Sequence, residues 1–354
     1  MFYREAGQFK SSYRADQRIF PILQDRIFIG LILAVAFVAM PIFASEYLFR
    51  AILIPFLILS LAAIGLNILV GYCGQISLGT GGFMAVGAYA AYNFMARIGE
   101  MNLLVALLLA GCTTAVVGVL FGLPSLRIKG FYLAVATLAA QFFIDWVFAR
   151  VGWFTNFSPS GSVSAPKLAM FGIDFSSATM RYILTLSIVV FLALVAKNLV
   201  RGHIGRSWMA IRDMDIAAEI IGIRPLYAKL SAFAVSSFYI GIAGALWGFV
   251  YLGSWEPLAF SIDQSFRLLF MVIIGGLGSI MGSFMGAAFI LLVPIFLNQL
   301  PGLLGIPMST AFLSHLEFMV FGALIVFFLI VEPHGLARLW AVGKEKLRLW
   351  PFPH

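Results

Sequence analysis

RGHIGRSWMAIRDMDIAAEIIGIRPLYAK, residues 201–229, is the longest polar interruption in the second half of an otherwise apolar chain. It sets Arg201, Arg206, Arg212, Arg224 and Lys229 against Asp213, Asp215 and Glu219. Ala210, Met214, Ala217 and Ile221 recur at helical spacing, while Arg212, Asp215 and Glu219 fall on another side. Gly222 suits a left-handed helix end, and Pro225 keeps the helix from resuming. A plain connector between two apolar runs needs only a few residues. The spacing predicts a short amphipathic helix held between two spans and exposed outside the membrane, where something can touch it.

Working outward, the chain of 354 residues is 62% hydrophobic and 11% charged, with a mean hydropathy of +1.01. Soluble domains carry about 25% charged residues and could not hide this much apolar surface. The solvent must be lipid, and lipid admits only backbone that satisfies its own hydrogen bonds. The expected fold is an all-α polytopic membrane protein. Apolar runs near the ~20 residues that cross a bilayer fall at 27–44, 48–70, 83–97, 102–122, 131–150, 181–200, 230–252, 263–282, 284–300 and 313–331. This gives an amino-terminal segment over 1–26, a transmembrane domain over 27–331 and a carboxy-terminal tail over 332–354.

The net charge of +8 is read as positive charge kept on the cytoplasmic side rather than as a nucleic-acid surface. With the amino terminus inside, 17 of the 23 basic residues fall in cytoplasmic segments. Among them are Arg4, Lys10, Arg14, Arg18, Arg127, Lys129 and the five of 201–229. Arg50, Arg97, Arg150, Lys167, Arg181 and Arg267 fall on the other side. Ten spans with both termini cytoplasmic is the consistent solution. A cleavable signal peptide is not expected, because the first apolar run begins only after a long mixed segment. Cys73 and Cys112 lie in or beside apolar stretches and make no disulfide framework, and the four histidines show no metal-ligand spacing.

The second informative stretch is NILVGYCGQISLGTGGFMAVGAY, residues 67–89. Its glycines, Gly71, Gly74, Gly79, Gly81, Gly82 and Gly87, are too many for an unbroken helix at ~1 kcal/mol each. Asn67, Gln75, Ser77 and Thr80 are mixed among them. Irregular backbone at membrane depth survives where protein buries it or where it lines a water-filled path. Close packing through small residues is the other reading. A weaker echo, IGGLGSIMGSFMGA at 274–287, hints at an internal repeat. Asp145, with Gln141 one turn before it and Arg150 nearby, is either an intramembrane functional acid or a paired structural one. No phosphate-binding GxxxxGK[ST] occurs, and no clustered nucleophile, base or metal set supports an enzyme. The scarcity of charge within the spans argues against the rival reading, a self-sufficient channel or ion-coupled secondary carrier.

Taken together, 67–89, LRIKGFYLAVATLA (126–139), GRSWMAIRDMDIAAEIIGI (205–223) and DQSFRLLFMVIIGGLGSIMGSFMGA (263–287) resemble the LivM family. That family comprises permease subunits of branched-chain amino acid ABC importers. The resemblance runs from about residue 30 to 335 in the same order. It implies that Ala217, Ala218 and Gly222 match the A-A-x-x-x-G of a cytoplasmic loop that docks on the ATPase. Ile216 stands where that loop has Glu, flanked by Asp215 and Glu219; Arg212 and Asp213 complete the expected contact. The residue reading of 67–82 places a translocation path along Asn67, Gly71, Gly74, Gln75, Ser77, Gly79 and Thr80. The implied partners are a second, LivH-like permease, two ABC ATPases (LivG-like and LivF-like), a periplasmic substrate-binding protein and membrane lipid. ATP and Mg would be bound by the ATPases, with no cofactor in this chain. The expected location is the bacterial cytoplasmic (inner) membrane, and the cargo class spans branched-chain and other hydrophobic amino acids, amides, urea and aromatic acids.

Overall fold

A computed structural model describes residues 11–12, 19–20, 23–99, 101–126, 132–158, 161–166, 168–170, 173–304, 310–332 and 334–349. Most of the 1–26 segment, including Arg4, Lys10, Arg14 and Arg18, lies outside these residues, as do Arg127, Lys129 and Lys167. The protein is all-α. The first pass is α1 (Leu23–Ala34), continued by a π-turn (Val35–Ala39) and Met40–Phe43; the second is a π-turn (Leu48–Leu53), α2 (Ile54–Asn67) and another π-turn (Ile68–Tyr72). Then come α3 (Thr80–Arg97), α4 (Leu103–Leu126), α5 (Tyr132–Arg150) and α6 (Ala178–Arg201). After α7 (His203–Ile220) follow α8 (Pro225–Leu246) with its π-turn (Trp247–Leu252), α9 (Ile262–Gly275), α10 (Ile280–Leu304), α11 (Thr310–Val331) and α12 (Gly335–Leu349).

Eight of these helical passes are long and apolar enough to cross a membrane. With α3 and α11, helices stand at all ten positions where apolar runs were read. The two earliest π-turns directly precede Pro41 and Pro55, which have no N–H to give to the turn before them, so the ladder opens by one residue there.

The bundle is built around α2 and α8. The passes Leu48–Tyr72 and Pro225–Leu252 are 83% buried, whereas Asp25–Phe43 has no buried residue in its window and lies outermost. Helix α8 packs on α2, α3 and α4. Small residues set that approach: a Cβ on Gly87 would strike the Gly241 backbone, and one on Gly244 would strike the backbone of Met84. Backbones in direct contact gain dispersion without a hydrophobic drive, which lipid cannot supply. Some polar side chains bridge helices by donating to carbonyls: Tyr239 Oη donates to Leu192 O (2.9 Å) and Tyr182 Oη to Ala36 O (3.0 Å).

Contacts sort the connections to two ends. Arg212 touches Gly71, Asn67 bonds to the 276–283 turn, Gly276 abuts His334, and Lys344 pairs with Asp25 at 2.9 Å. At the other end β1 (Val163–Ser164) pairs antiparallel with β4 (Ser254–Trp255), and Arg97 donates to Trp153 O. A second two-residue pair joins β2 (Ala169–Met170) with β3 (Ile173–Asp174), and the two pairs are the sheet content among the described residues.

One architectural unit occurs twice. A helix ends in a π-turn, the chain leaves helical geometry, and a second helix begins inside the bundle: α2, Ile68–Tyr72, α3, and again α8, Trp247–Leu252, α9. The two units run in opposite directions between the ends, as in inverted repeats. The glycine echo at 274–287 is therefore not the counterpart of 67–89; residues 247–264 are, and 274–287 packs against Asn67.

The sequence reading is corrected at the eighth run, at Arg267 and in the tail. The eighth run, expected over 263–282, stops at Gly275 because Gly276 (φ +119°) and Gly278 (φ +74°) turn the chain, and α10 starts at Ile280. At 14 residues, α9 alone is about 21 Å long, and the pass reaches membrane length only with the preceding turn Pro257–Phe260. Arg267 was counted at an external span end, yet it sits in the second turn of this half-helix because residues 253–261 dip into the bundle. The 332–354 tail contains α12, which folds back against α9 and α10.

Gly244→Leu is expected to destabilise the protein in detergent by about 1–3 kcal/mol or to block folding, as overpacking does. Gly30→Leu, at a site with nothing within 4 Å of its Cβ position, is expected to stay within about 0.5 kcal/mol. Thermal unfolding of both variants checks the contact; equal stabilities would remove it as the organising crossing.

Candidate functional site

The site begins with α7. It starts as a helix anchored to the bundle by Trp208, which is fully buried and donates from Nε1 to Ser231 Oγ at 2.9 Å. At Met214 the backbone is extended (φ −163°, ψ 94°), so α7 is two helical pieces joined by a break. The break resets the helical phase. The single apolar face expected from Ala210, Met214, Ala217 and Ile221 does not form: Met214 is 66% and Ile221 74% exposed. Ile211 and Ala218 are the buried positions on either side of the break.

The outer piece ends as the sequence indicated. Gly222 has φ +92°, its N–H bonds to Glu219 O, and the Ile223 N–H reaches Ala218 O, both at 3.0 Å. That is the double hydrogen bond of a Schellman end, and Pro225 then opens α8. The result is a small projecting knob whose tip is apolar: Ile216 is 65% and Ile220 81% exposed. Ala217, Glu219 and Gly222 are exposed and Asp215 half-exposed.

Arg212 points the other way. Its Nε and Nη2 both meet Asp213 Oδ1 at 2.8 Å, and Nη1 donates to Gly71 O at 2.9 Å. The Gly71 carbonyl belongs to the π-turn that ends the second pass. Further along, Gly74 N bonds to Val70 O and Gln75 N to Leu69 O. Helical partners for a terminal carbonyl run out here, and the guanidinium supplies one.

Behind Gly71 lies Asn67, 1% exposed. Its Nδ2 donates to Ser279 O (2.9 Å), Ser283 Oγ (3.0 Å) and Gly276 O (3.3 Å), and its Oδ1 accepts from Gly278 N (2.9 Å). The two glycine stretches are thus fastened to each other by one carboxamide. Gly74 and Gln75 remain at least partly exposed; Gly71, Ser77, Gly79 and Thr80 are buried, and the Thr80 hydroxyl has no hydrogen-bond partner among the described residues.

A second carboxamide holds the deeper break. Leu78 N bonds to Thr137 Oγ1, and α3 then starts inside the bundle. Its first free N–H groups go to Ser265 Oγ (from Gly81, 2.7 Å) and to Gln141 Oε1 (from Gly82). Gln141 Nε2 donates to Phe260 O at 2.9 Å and to the Asp145 carboxylate at 3.1 Å, and Ser265 Oγ donates to Gln141 Oε1 at 3.0 Å. The partner the structure gives Asp145 is therefore Gln141. The first turns of α3 and α9 meet at this network. Gln141 and Ser265 were not among the site residues read from the sequence; a carboxamide in an apolar span was the available signal. No group of three or more potential metal ligands occurs among the described residues.

Comparisons with known proteins bear on this arrangement. Residues 48–329 match the family described as "Branched-chain amino acid transport system / permease component". Three relatives are similar. The high-affinity branched-chain amino acid transport system permease protein LivM of Salmonella typhimurium is 29% identical over 300 residues, 77% of this chain and 66% of that protein. LivM of Escherichia coli is 32% identical over 243 residues, 61% of this chain and 56% of that protein. The probable branched-chain amino acid transport permease protein LivM of Methanocaldococcus jannaschii is 26% identical over 250 residues, 68% and 69% of the two chains. The match thus spans about two thirds of the Salmonella protein and little more than half of the Escherichia coli one. No solved structure matches. Family membership follows from a match that covers most of the chain: this protein belongs to the family of branched-chain amino acid transport system permease components.

Proposed function

We propose that this chain is a membrane-spanning permease subunit of a binding-protein-dependent ABC importer. Its cargo is branched-chain or other hydrophobic amino acids, carried into the cytoplasm. The subunit itself is non-catalytic; two partner ATPases bind ATP and Mg, a second permease completes the membrane unit, and a periplasmic protein delivers the substrate. The single observation that carries this reading is the knob at Met214–Ile221. A helix end closed by a Schellman turn, tipped with exposed isoleucines and set between two spans, is built for a protein groove rather than for water. The family membership supports what fills that groove.

The end that bears the knob is proposed as cytoplasmic. It carries Arg201, Arg206, Arg212, Arg224, Lys229, Arg338 and Lys346 against Arg50, Arg97, Arg150 and Arg181 elsewhere, which accords with positive charge retained inside. Both termini then lie in the cytoplasm, in the inner membrane of a bacterium. The glycine-rich loop 73–79 and the first turn of α3 form the proposed translocation path with the second permease. A hydroxyl at Thr80 that is buried without a partner costs free energy in the resting arrangement. That cost is removed if the break opens during transport.

Reconstitution tests the assignment. Liposomes containing this chain with its proposed partner subunits are expected to take up amino acid only when ATP and binding protein are both present. Uptake by the chain alone would overturn the importer reading.

Ile220→Asp is expected to leave insertion intact and to weaken retention of the ATPases. Loss of one buried isoleucine is worth about 1.5–3 kcal/mol, roughly ten- to a hundredfold in affinity. Co-purification measured beside wild type checks it, and unchanged retention would move the contact elsewhere.

Cysteines at Ser77 and Thr80 are expected to be protected from a small polar thiol reagent in the resting complex and to react during ATP turnover. Protection in both states would favour the packing role of the glycine stretch.

A further inference from the structure

We propose that Arg212 is the positioning residue through which movement of the knob reaches the exit of the second pass and the turn after α9, and that it does so without touching the ATPase. The inference rests on the permease reading above and adds a mechanism to it. The knob and the glycine breaks meet at one polar side chain. Asp213 occupies two nitrogens of the guanidinium, which fixes its plane and aims Nη1 at the Gly71 carbonyl, 2.9 Å away. That carbonyl sits at the end of the π-turn from which loop 73–79 departs.

The same group borders the turn that follows α9. A Cβ added at Gly278 would lie 3.2 Å from Arg212 Nη1, and one added at Gly74 would lie 3.1 Å from Arg212 Cγ. Gly278 in turn is fixed to Asn67 by its N–H. Displacing Arg212 therefore disturbs the exit of the second pass and the turn after α9 together.

The extended residue Met214 stands two positions beyond Arg212. The inner piece of α7 is held by Trp208 and Arg212, and the outer piece, joined to it at Met214 and seated through buried Ala218, carries the exposed tip. A pull on the tip loads the Arg212–Gly71 bond first. Each side of that bond is small and directional, so a modest movement breaks it and releases the turn that glycine allows to unwind.

The test uses the reconstituted complex with both permeases, the ATPases and the binding protein. Wild type is run first, because failure of ATP-driven uptake there sinks the permease reading itself and not this inference. Arg212→Ala is expected to retain the ATPases at wild-type ratio while substrate moved per ATP hydrolysed falls at least tenfold. Arg212→Lys, which keeps one cationic donor for Gly71 but cannot also grip Asp213 through two nitrogens, is expected to recover part of that ratio. A merely structural role would lower yield, hydrolysis and uptake in proportion and leave the ratio unchanged, which would overturn the proposal. Loss of the ATPases from the Arg212→Ala complex would overturn it as well, by making Arg212 part of the docking surface. If Arg212→Ala does not assemble, the ratio for Arg212→Lys decides: a value equal to wild type refutes, a reduced one supports.

Discussion

Backbone that leaves helical geometry inside an apolar bundle has to find new hydrogen-bond partners, and here two carboxamides provide them. Asn67 answers the 276–283 turn with both ends of its amide, and Gln141 answers the first turn of α3, the carbonyl of Phe260 and the hydroxyl of Ser265. A carboxamide suits the task because it donates and accepts without carrying charge into a low-dielectric interior. Remove either, and several buried polar groups lose partners at once, each at about 1–3 kcal/mol. The broken segments are affordable only where those side chains stand.

This constraint explains the placement of the rest. Helices α2 and α8 are central because each carries a break at its end that protein must surround on all sides. The Gly87–Gly241 and Met84–Gly244 contacts draw α3 onto α8, so that the start of α3 is held beside α5 and α9. The outer helices need no such care. Residues such as Leu31, Val38 and Ile42 on the first pass stay exposed because lipid is a good solvent for them.

The same logic links interior to surface. Arg212 serves as a cap for a helix end in the membrane domain while belonging to the segment that projects from it. A chain of groups in contact runs from the knob through Gly71 and Asn67 to the turn after α9, and on to α12 where Gly276 abuts His334 and Ala337. Such contiguity is a physical route for movement.

Much of this was legible in the residues. Apolar runs of membrane length placed the ten passes, because the spacing requirement of a bilayer is written in composition. The glycine and proline at 222 and 225 marked a helix end that the structure realises as a Schellman turn. The glycine density of 67–89 announced a break, since no other residue type tolerates so many close approaches. What periodicity could not show was the break at Met214: an extended residue in mid-segment is imposed by anchoring Trp208 and Arg212 on the bundle, and local sequence carries no mark of it. Nor could it show that Gln141, one polar residue in an apolar helix, would meet Gly82 and Ser265. Those partners lie 59 and 124 residues away, and only tertiary packing brings together groups whose hydrogen bonds water cannot satisfy.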